Sequence, residues 1–184
     1  MARIVCFGDS LTSGHGIGAA AAYPAILQQK IRAAGLACEV VNAGASRSTS
    51  SEALQRFDAA LRGDVHVLVL ALGANDGLRG VPVPQLEANL TRMIEAAQAR
   101  RIAIVLCAME ALPIHGWSYT VAFHRMYEQL AKRYQLPLVP FVMLNVIGRA
   151  ELLLPDRIHP NAAGARAIAE AIWPHLEPLV ARVC

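Results

Sequence analysis

Four short polar stretches interrupt an apolar chain: "FGDSLTSG" from Phe7, "NAGASRSTS" from Asn42, "GAND" from Gly73 and "DRIHPN" from Asp156. Their residue types are those that acyl transfer needs: a nucleophile, a base, a group orienting the base, and donors aimed at a developing oxyanion. Ser10 supplies a hydroxyl where a turn can expose it, and His159 supplies an imidazole. Asp156, three residues before the histidine, can reach the ring and fix its tautomer. Asn75 adds a side-chain amide, and the backbone around Ser10 and residues 44–47 adds further N–H donors.

Each stretch also has a plainer reading. Asp9 and Ser10 can cap the segment that follows them, and Asn75–Asp76–Gly77 can be an ordinary turn. "HPN" can be a helix start, with Asn161 as cap and Pro160 holding His159 extended. The joint occurrence of all four is what points to chemistry. His15, His66, His115, His124 and His175 have no matching partner in the sequence and read as surface or structural. No G-x-S-x-G motif occurs, so a nucleophile elbow of the α/β-hydrolase type is not indicated.

The elements that must position these groups follow from periodicity. Arg3–Phe7, Cys38–Val41, Val65–Leu72, Ile102–Met109 and Leu136–Val142 read as five strands rich in Val, Ile and Leu. Their apolar residues run on without alternating, as in strands buried on both faces. Between them, Leu86, Leu90, Met93, Ile94 and Ala97 share one helix face, as do Phe123, Met126, Tyr127, Leu130 and Tyr134. A third such face is Ala165, Ile168, Ala169, Ile172 and Leu176. Shorter helices are expected at Pro24–Ala34, with proline in the first turn, and at Ser51–Leu61. Strand–helix alternation of this kind predicts a three-layer α/β/α sandwich around a mostly parallel five-stranded sheet. Ligands of such folds bind beyond the carboxyl ends of the strands, and all four polar stretches fall on that edge.

Composition narrows the classes. A chain of 184 residues is expected to form one domain over 1–184. The longest clean apolar run, Ile102–Met109, is strand-sized and far short of the roughly 18 residues of a membrane span. The N-terminus leads straight into a strand with no visible leader, so the chain as given reads as cytoplasmic, or periplasmic if a leader was removed. Net charge is +3, and only two of the seventeen basic residues are lysines. The arginines are scattered rather than striped, which argues against a nucleic-acid partner. Cys6, Cys38, Cys107 and Cys184 show no metal-ligand spacing, and Cys6 and Cys107 read as buried free thiols.

"FGDSLTSG", "NAGASRST", "LGANDGLRG" and "DRIHPN" resemble, in order and spacing, the blocks of the GDSL or SGNH hydrolases, and most closely the bacterial esterase, thioesterase and lysophospholipase I subgroup. The resemblance covers nearly the whole chain. It implies a flavodoxin-like fold, a small-molecule ester as substrate and no metal or organic cofactor. It further implies Ser10 as nucleophile, His159 as base and Asp156 as its orienting partner. The oxyanion hole would come from the Ser10 amide, a second-block amide and the Asn75 side chain.

The second block departs from that pattern. Arg47 stands where the family usually places a small residue, commonly glycine. Counting from "VNA" nominates Gly44 instead, at the cost of shifting the loop by three residues. Arg47 keeps Thr49 and Leu54 in register, and its backbone N–H is available whatever its side chain. Its side chain is either solvated and passive, so that alanine and glycine replacements keep activity within a few-fold, or held by a fixed partner, so that both lose more and glycine is the worse because it loosens the loop.

Other readings stay open on sequence grounds. A Ser/Thr/Gly-rich loop after strand one also suits a flavin or phosphate-binding module, and a silent scaffold or a carbohydrate O-deacetylase shares the fold. Leu78, Leu112, Pro113, Ile114 and Trp117, after strands three and four, either line an acyl pocket or roof the core.

Overall fold

The computed structural model describes residues 1–184. Five parallel strands, β1 (Arg3–Gly8), β2 (Glu39–Gly44), β3 (Val65–Ala71), β4 (Ala103–Cys107) and β5 (Leu138–Val139), lie in the order β2-β1-β3-β4-β5. The helices are α1 (Ser10–Ser13), α2 (Tyr23–Ala33), α3 (Ser50–Ala60), α4 (Ala74–Arg79), α5 (Val83–Ala99), α6 (Trp117–Tyr134) and α7 (Ala162–Val180). Helices α2 and α7 pack together on one face of the sheet, and α3, α5 and α6 form the other layer. This is the three-layer α/β/α arrangement that the alternation of apolar runs predicts.

Why the central strands are continuously apolar is plain from their surroundings. Ile4, Val5, Cys6 and Phe7 of β1, and Val67, Leu68, Val69 and Leu70 of β3, are completely buried because helices cover both faces. Each large aliphatic or aromatic side chain so buried stabilises the fold by about 1.5–3 kcal/mol, so neither strand tolerates a polar face. The helix faces read from periodicity are also the buried ones, apart from Tyr134, which is partly exposed.

The fifth strand is shorter than the apolar run Leu136–Val142 suggests. Two prolines bracket it. Pro137 gives only its carbonyl, to the Leu106 amide at 2.9 Å, and Pro140 has no N–H to extend the ladder. The pairing therefore stops after Leu138 and Val139.

Register sets the geometry of the edge. Gly8 lies opposite Gly44 of β2 and Ala71 of β3, so these three adjacent strands end in one row. The strand order reverses at β1, which places its carboxyl end at the crevice where such sheets bind ligands. Gly8 and Gly44 are required there by close approach. A Cβ on Gly8 would meet Thr12 Oγ1 and, at 2.6 Å, the Ala71 carbonyl, and a Cβ on Gly44 would strike the Ser13 amide.

A disulfide joins Cys38, just before β2, to Cys184, 146 residues away. Nothing in the spacing of the cysteines announces that pair. Cys6 and Cys107 are free and buried, as their apolar settings suggest.

Candidate active site

The turn after β1 presents Ser10. Asp9 caps α1, its Oδ1 accepting the Leu11 N–H at 3.1 Å, and the one-turn helix closes at Gly14 in the left-handed region. The capping reading of Asp9 is thus correct, and it leaves the neighbouring hydroxyl of Ser10 free. Ser10 is partly exposed, and no protein group takes or gives a hydrogen bond at its hydroxyl. As the first residue of α1, its amide has no helical carbonyl to meet.

A second loop carries Asp156 and His159. It is pinned as a small hairpin: Leu153 bridges Pro160, the Leu154 amide bonds the His159 carbonyl at 2.8 Å, and the Asn161 amide bonds Leu152. Asn161 then caps α7 by accepting from Ala163 and Gly164, so its helix-start role also holds. Inside the hairpin, Asp156 Oδ1 takes the amides of Ile158 and His159, and Oδ2 takes His159 Nδ1 at 2.6 Å. These amides and the imidazole hold the Asp156 carboxyl well below the usual carboxylate range. With Nδ1 committed, Nε2 is the ring atom left for proton transfer. No hydrogen bond joins it to Ser10 Oγ, and bonds between nucleophile and base commonly tighten only when substrate binds.

The loop after β2 resolves into two kinds of amide. Gly44 N–H is spent on Asn42 Oδ1 at 3.0 Å. Arg47 N–H has no acceptor among the turn and loop hydrogen bonds. Arg47 sits at φ 63°, a left-handed conformation that glycine adopts freely and an arginine does not. Its guanidinium makes no hydrogen bond or ion pair, which favours the passive, solvated side chain over one held by a fixed partner. What is held instead is its carbonyl, by Arg79 Nη2 at 3.0 Å. Thr49 and Glu52 form a capping box at the start of α3 and anchor the far side of the loop.

Asn75, in the first turn of α4, donates through Nδ2 to the Ser48 carbonyl at 3.1 Å, leaving its second amide hydrogen free. Its neighbour Asp76 is fully buried and accepts from Ser50 through both oxygens. Burial raises the Asp76 carboxyl despite those bonds.

Two residues near the site escape the sequence reading. Arg56 reaches under the edge, donating to the carbonyls of Ala43 and Gly8 at 2.6 Å each and lying 4.2 Å above the Phe7 ring. Its signal was its place on the same side of α3 as buried Ala53 and Phe57, an unusual setting for a cation. His15 lies with its ring centroid 4.3 Å from that of His159. No local pattern relates residues so distant in sequence.

Leu78 of α4, Leu112 and Ile114 in the segment after β4, and Trp117 at the start of α6 are exposed, Trp117 by 73%. They do not roof the core. They flank the same edge, with His115 Nε2 tied to the Leu78 carbonyl at 3.1 Å.

The profile of the GDSL-like lipase/acylhydrolase family matches residues 6–167. Esterase TesA of Pseudomonas aeruginosa is 35% identical over 178 residues, 96% of this chain and 89% of that protein. Thioesterase 1/protease 1/lysophospholipase L1 of Escherichia coli is also 35% identical, over 96% of this chain and 84% of its own length. A crystal structure of TesA superposes with a TM-score of 0.90 at 34% identity, covering 97% of this chain and 99% of that one. On sequence and fold, the chain belongs to the GDSL-like lipase/acylhydrolase family.

Proposed function

We propose that this protein hydrolyses carboxylic esters through an acyl-enzyme on Ser10, with His159 as general base and Asp156 orienting it. The observation that carries the reading is the 2.6 Å bond from His159 Nδ1 to Asp156, on the sheet edge that also presents Ser10. As Ser10 Oγ attacks the ester carbonyl carbon, His159 Nε2 takes the hydroxyl proton. The imidazolium so formed is stabilised by Asp156, and it returns the proton to the leaving alcohol as the tetrahedral intermediate collapses. Water then repeats the sequence on the acyl-enzyme, releasing the carboxylic acid.

The developing oxyanion is met by the amides of Ser10 and Arg47 and by the free hydrogen of Asn75 Nδ2. Such donors stabilise charge that exists only during reaction, which makes them the main source of rate enhancement. The same edge is ill-suited to a phosphate. Asp9, buried at its centre, has an Oδ2 with no hydrogen-bond partner, and a dianion placed beside it would meet a like charge.

The exposed apolar rim of Leu78, Leu112, Ile114 and Trp117 favours acyl groups of some length over acetyl. Aryl esters, acyl thioesters and lysophospholipids all present such a group. The test is turnover of p-nitrophenyl esters of graded acyl length, beside acyl-CoA, a lysophospholipid and acetylated sugars. Hydrolysis rising from acetyl to medium-chain esters supports the reading, and activity confined to acetylated sugars contradicts it.

No helix is long and apolar enough to cross a membrane. The Cys38–Cys184 bond suits an oxidising compartment such as the periplasm better than a reducing cytoplasm.

A further inference from the structure

His15 has no part in the reaction just proposed, yet the fold fixes it beside the base. Its amide returns to the Ser10 carbonyl at 3.1 Å through the left-handed turn at Gly14, so its backbone is tied to the nucleophile turn. Its ring, exposed to solvent, rests against His159 with planes tilted by 40°. One ligand atom from each of His15, His159 and Asp156, a ring nitrogen or a carboxylate oxygen, lies within 4.8 Å of the other two.

The three groups are not equivalent. Both oxygens of Asp156 are already committed, one to two backbone amides and the other to His159 Nδ1. A histidine whose one nitrogen is bound to a carboxylate is the form in which imidazole usually ligates a metal through the other nitrogen. Asp156 therefore buttresses a ligand, and the ligands are His159 Nε2 and a nitrogen of His15. Two imidazoles select borderline cations such as Zn²⁺, Cu²⁺ or Ni²⁺ over Mg²⁺ or Ca²⁺, which take oxygen ligands. Tetrahedral Zn²⁺ with bonds of about 2.0–2.1 Å needs its two nitrogens about 3.4 Å apart. Rotation of the exposed His15 ring supplies the remaining closure, and water completes the shell.

We propose that His15 and His159 form a two-imidazole site for a borderline divalent cation, and that Zn²⁺ bound there inhibits hydrolysis reversibly by occupying the lone pair of the base. The inhibitory half of this proposal rests on the role given to His159 above. The binding half does not.

The experiment titrates Zn²⁺, with Mg²⁺ as control, into the wild-type protein, His15→Gln and His159→Gln. Binding is read from the imidazole resonances and from calorimetric stoichiometry, and p-nitrophenyl ester hydrolysis is followed in parallel for wild type and His15→Gln. Because the His15 ring is on the surface, His15→Gln is expected to fold and to hydrolyse ester as wild type does without metal. The expected result is one Zn²⁺ per wild-type chain, shifts at both histidines, inhibition reversed by a chelator, and no response to Mg²⁺. Both variants should bind at least about ten-fold more weakly, and His15→Gln should be inhibited correspondingly less. Equal binding and inhibition in wild type and His15→Gln overturn the proposal, as does wild-type protein that takes up no Zn²⁺ at a millimolar level. Zn²⁺ held by both histidines with hydrolysis undiminished supports the cation site and contradicts the assignment of His159 as base.

Discussion

Asp76 takes both hydrogen bonds that Ser50 can give, from its amide at 2.8 Å and its hydroxyl at 2.6 Å. Asn89 steadies the same hydroxyl from α5 at 2.9 Å. The turn that carries Asn75 and the loop that carries Arg47 are thus bound through a buried carboxylate, and the two donors they offer keep a fixed separation.

Asn75→Ala removes one of those donors and leaves the Asp76–Ser50 tie intact. Turnover is expected to fall by about 10²–10³, with KM little changed because the lost bond strengthens only as the carbonyl oxygen gains charge. Steady-state kinetics on one p-nitrophenyl ester, with circular dichroism to show an unchanged fold, makes the measurement. Wild-type turnover in a folded variant removes Asn75 from the oxyanion hole.

Along the triad the losses should be graded. His159→Ala deletes the base, and kcat should drop by on the order of 10⁴–10⁶, to the level sustained by binding and the oxyanion hole. Asp156→Ala deletes the orienting group and should cost less. Single-turnover rates on both variants check the order, and a loss at Asp156 exceeding that at His159 would show that the carboxylate does more than orient.

Arg47 at φ 63° sets the order of stability among its replacements. Glycine relieves the left-handed strain that alanine retains, a difference of about 1–2 kcal/mol partly offset by the greater freedom of unfolded glycine. Arg47→Gly should therefore be more stable than Arg47→Ala, with both keeping activity within several-fold because the backbone N–H remains. Urea midpoints and kcat measured in parallel decide this. Alanine the more stable variant, or a hundred-fold loss in both, contradicts the passive side chain described here.

Burial pushes the Asp9 carboxyl up to about 6, and the Leu11 amide only partly opposes it. A carboxyl with its folded value above its unfolded value binds more protons folded, so stability is greatest below the unfolded value and falls as pH rises through the folded one. For Asp9 that window runs from roughly pH 4 to about 6, and ionisation costs up to about 3 kcal/mol above it. Asp9→Asn keeps the Oδ1 acceptor and removes the charge. Any constant cost of its amide cancels when urea unfolding is compared at about pH 4 and about pH 8. The stability of the variant relative to wild type should rise between the two, and a flat difference would contradict the account.

Which parts of this site were legible in advance follows from the range of the interactions. Ser10, Asn75, Asp156 and His159 lie in local motifs, and the strands that aim them are marked by unbroken apolar runs. Arg47 was legible through its register with Thr49, but its strained backbone was not, because nothing in "ASRST" specifies a positive φ. His15 against His159, Arg56 beneath Gly8 and Ala43, and Cys38 bound to Cys184 depend on contacts between segments far apart in the chain. Only the folded sheet edge brings the first two together, and only the docking of the C-terminus beside β2 makes the third. The fifth strand fell short because prolines, which satisfy an apolar pattern, cannot continue a ladder.

The proposed mechanism requires that Ser10 carry the acyl group. A fluorophosphonate, which reacts with an activated serine hydroxyl and stays bound as a tetrahedral adduct, should add once per chain and abolish hydrolysis in proportion. Peptide mapping by mass spectrometry should place the adduct on Ser10, and His159→Ala should label far more slowly. Stoichiometric labelling at another residue, or full esterase activity in a protein labelled at Ser10, would contradict the account.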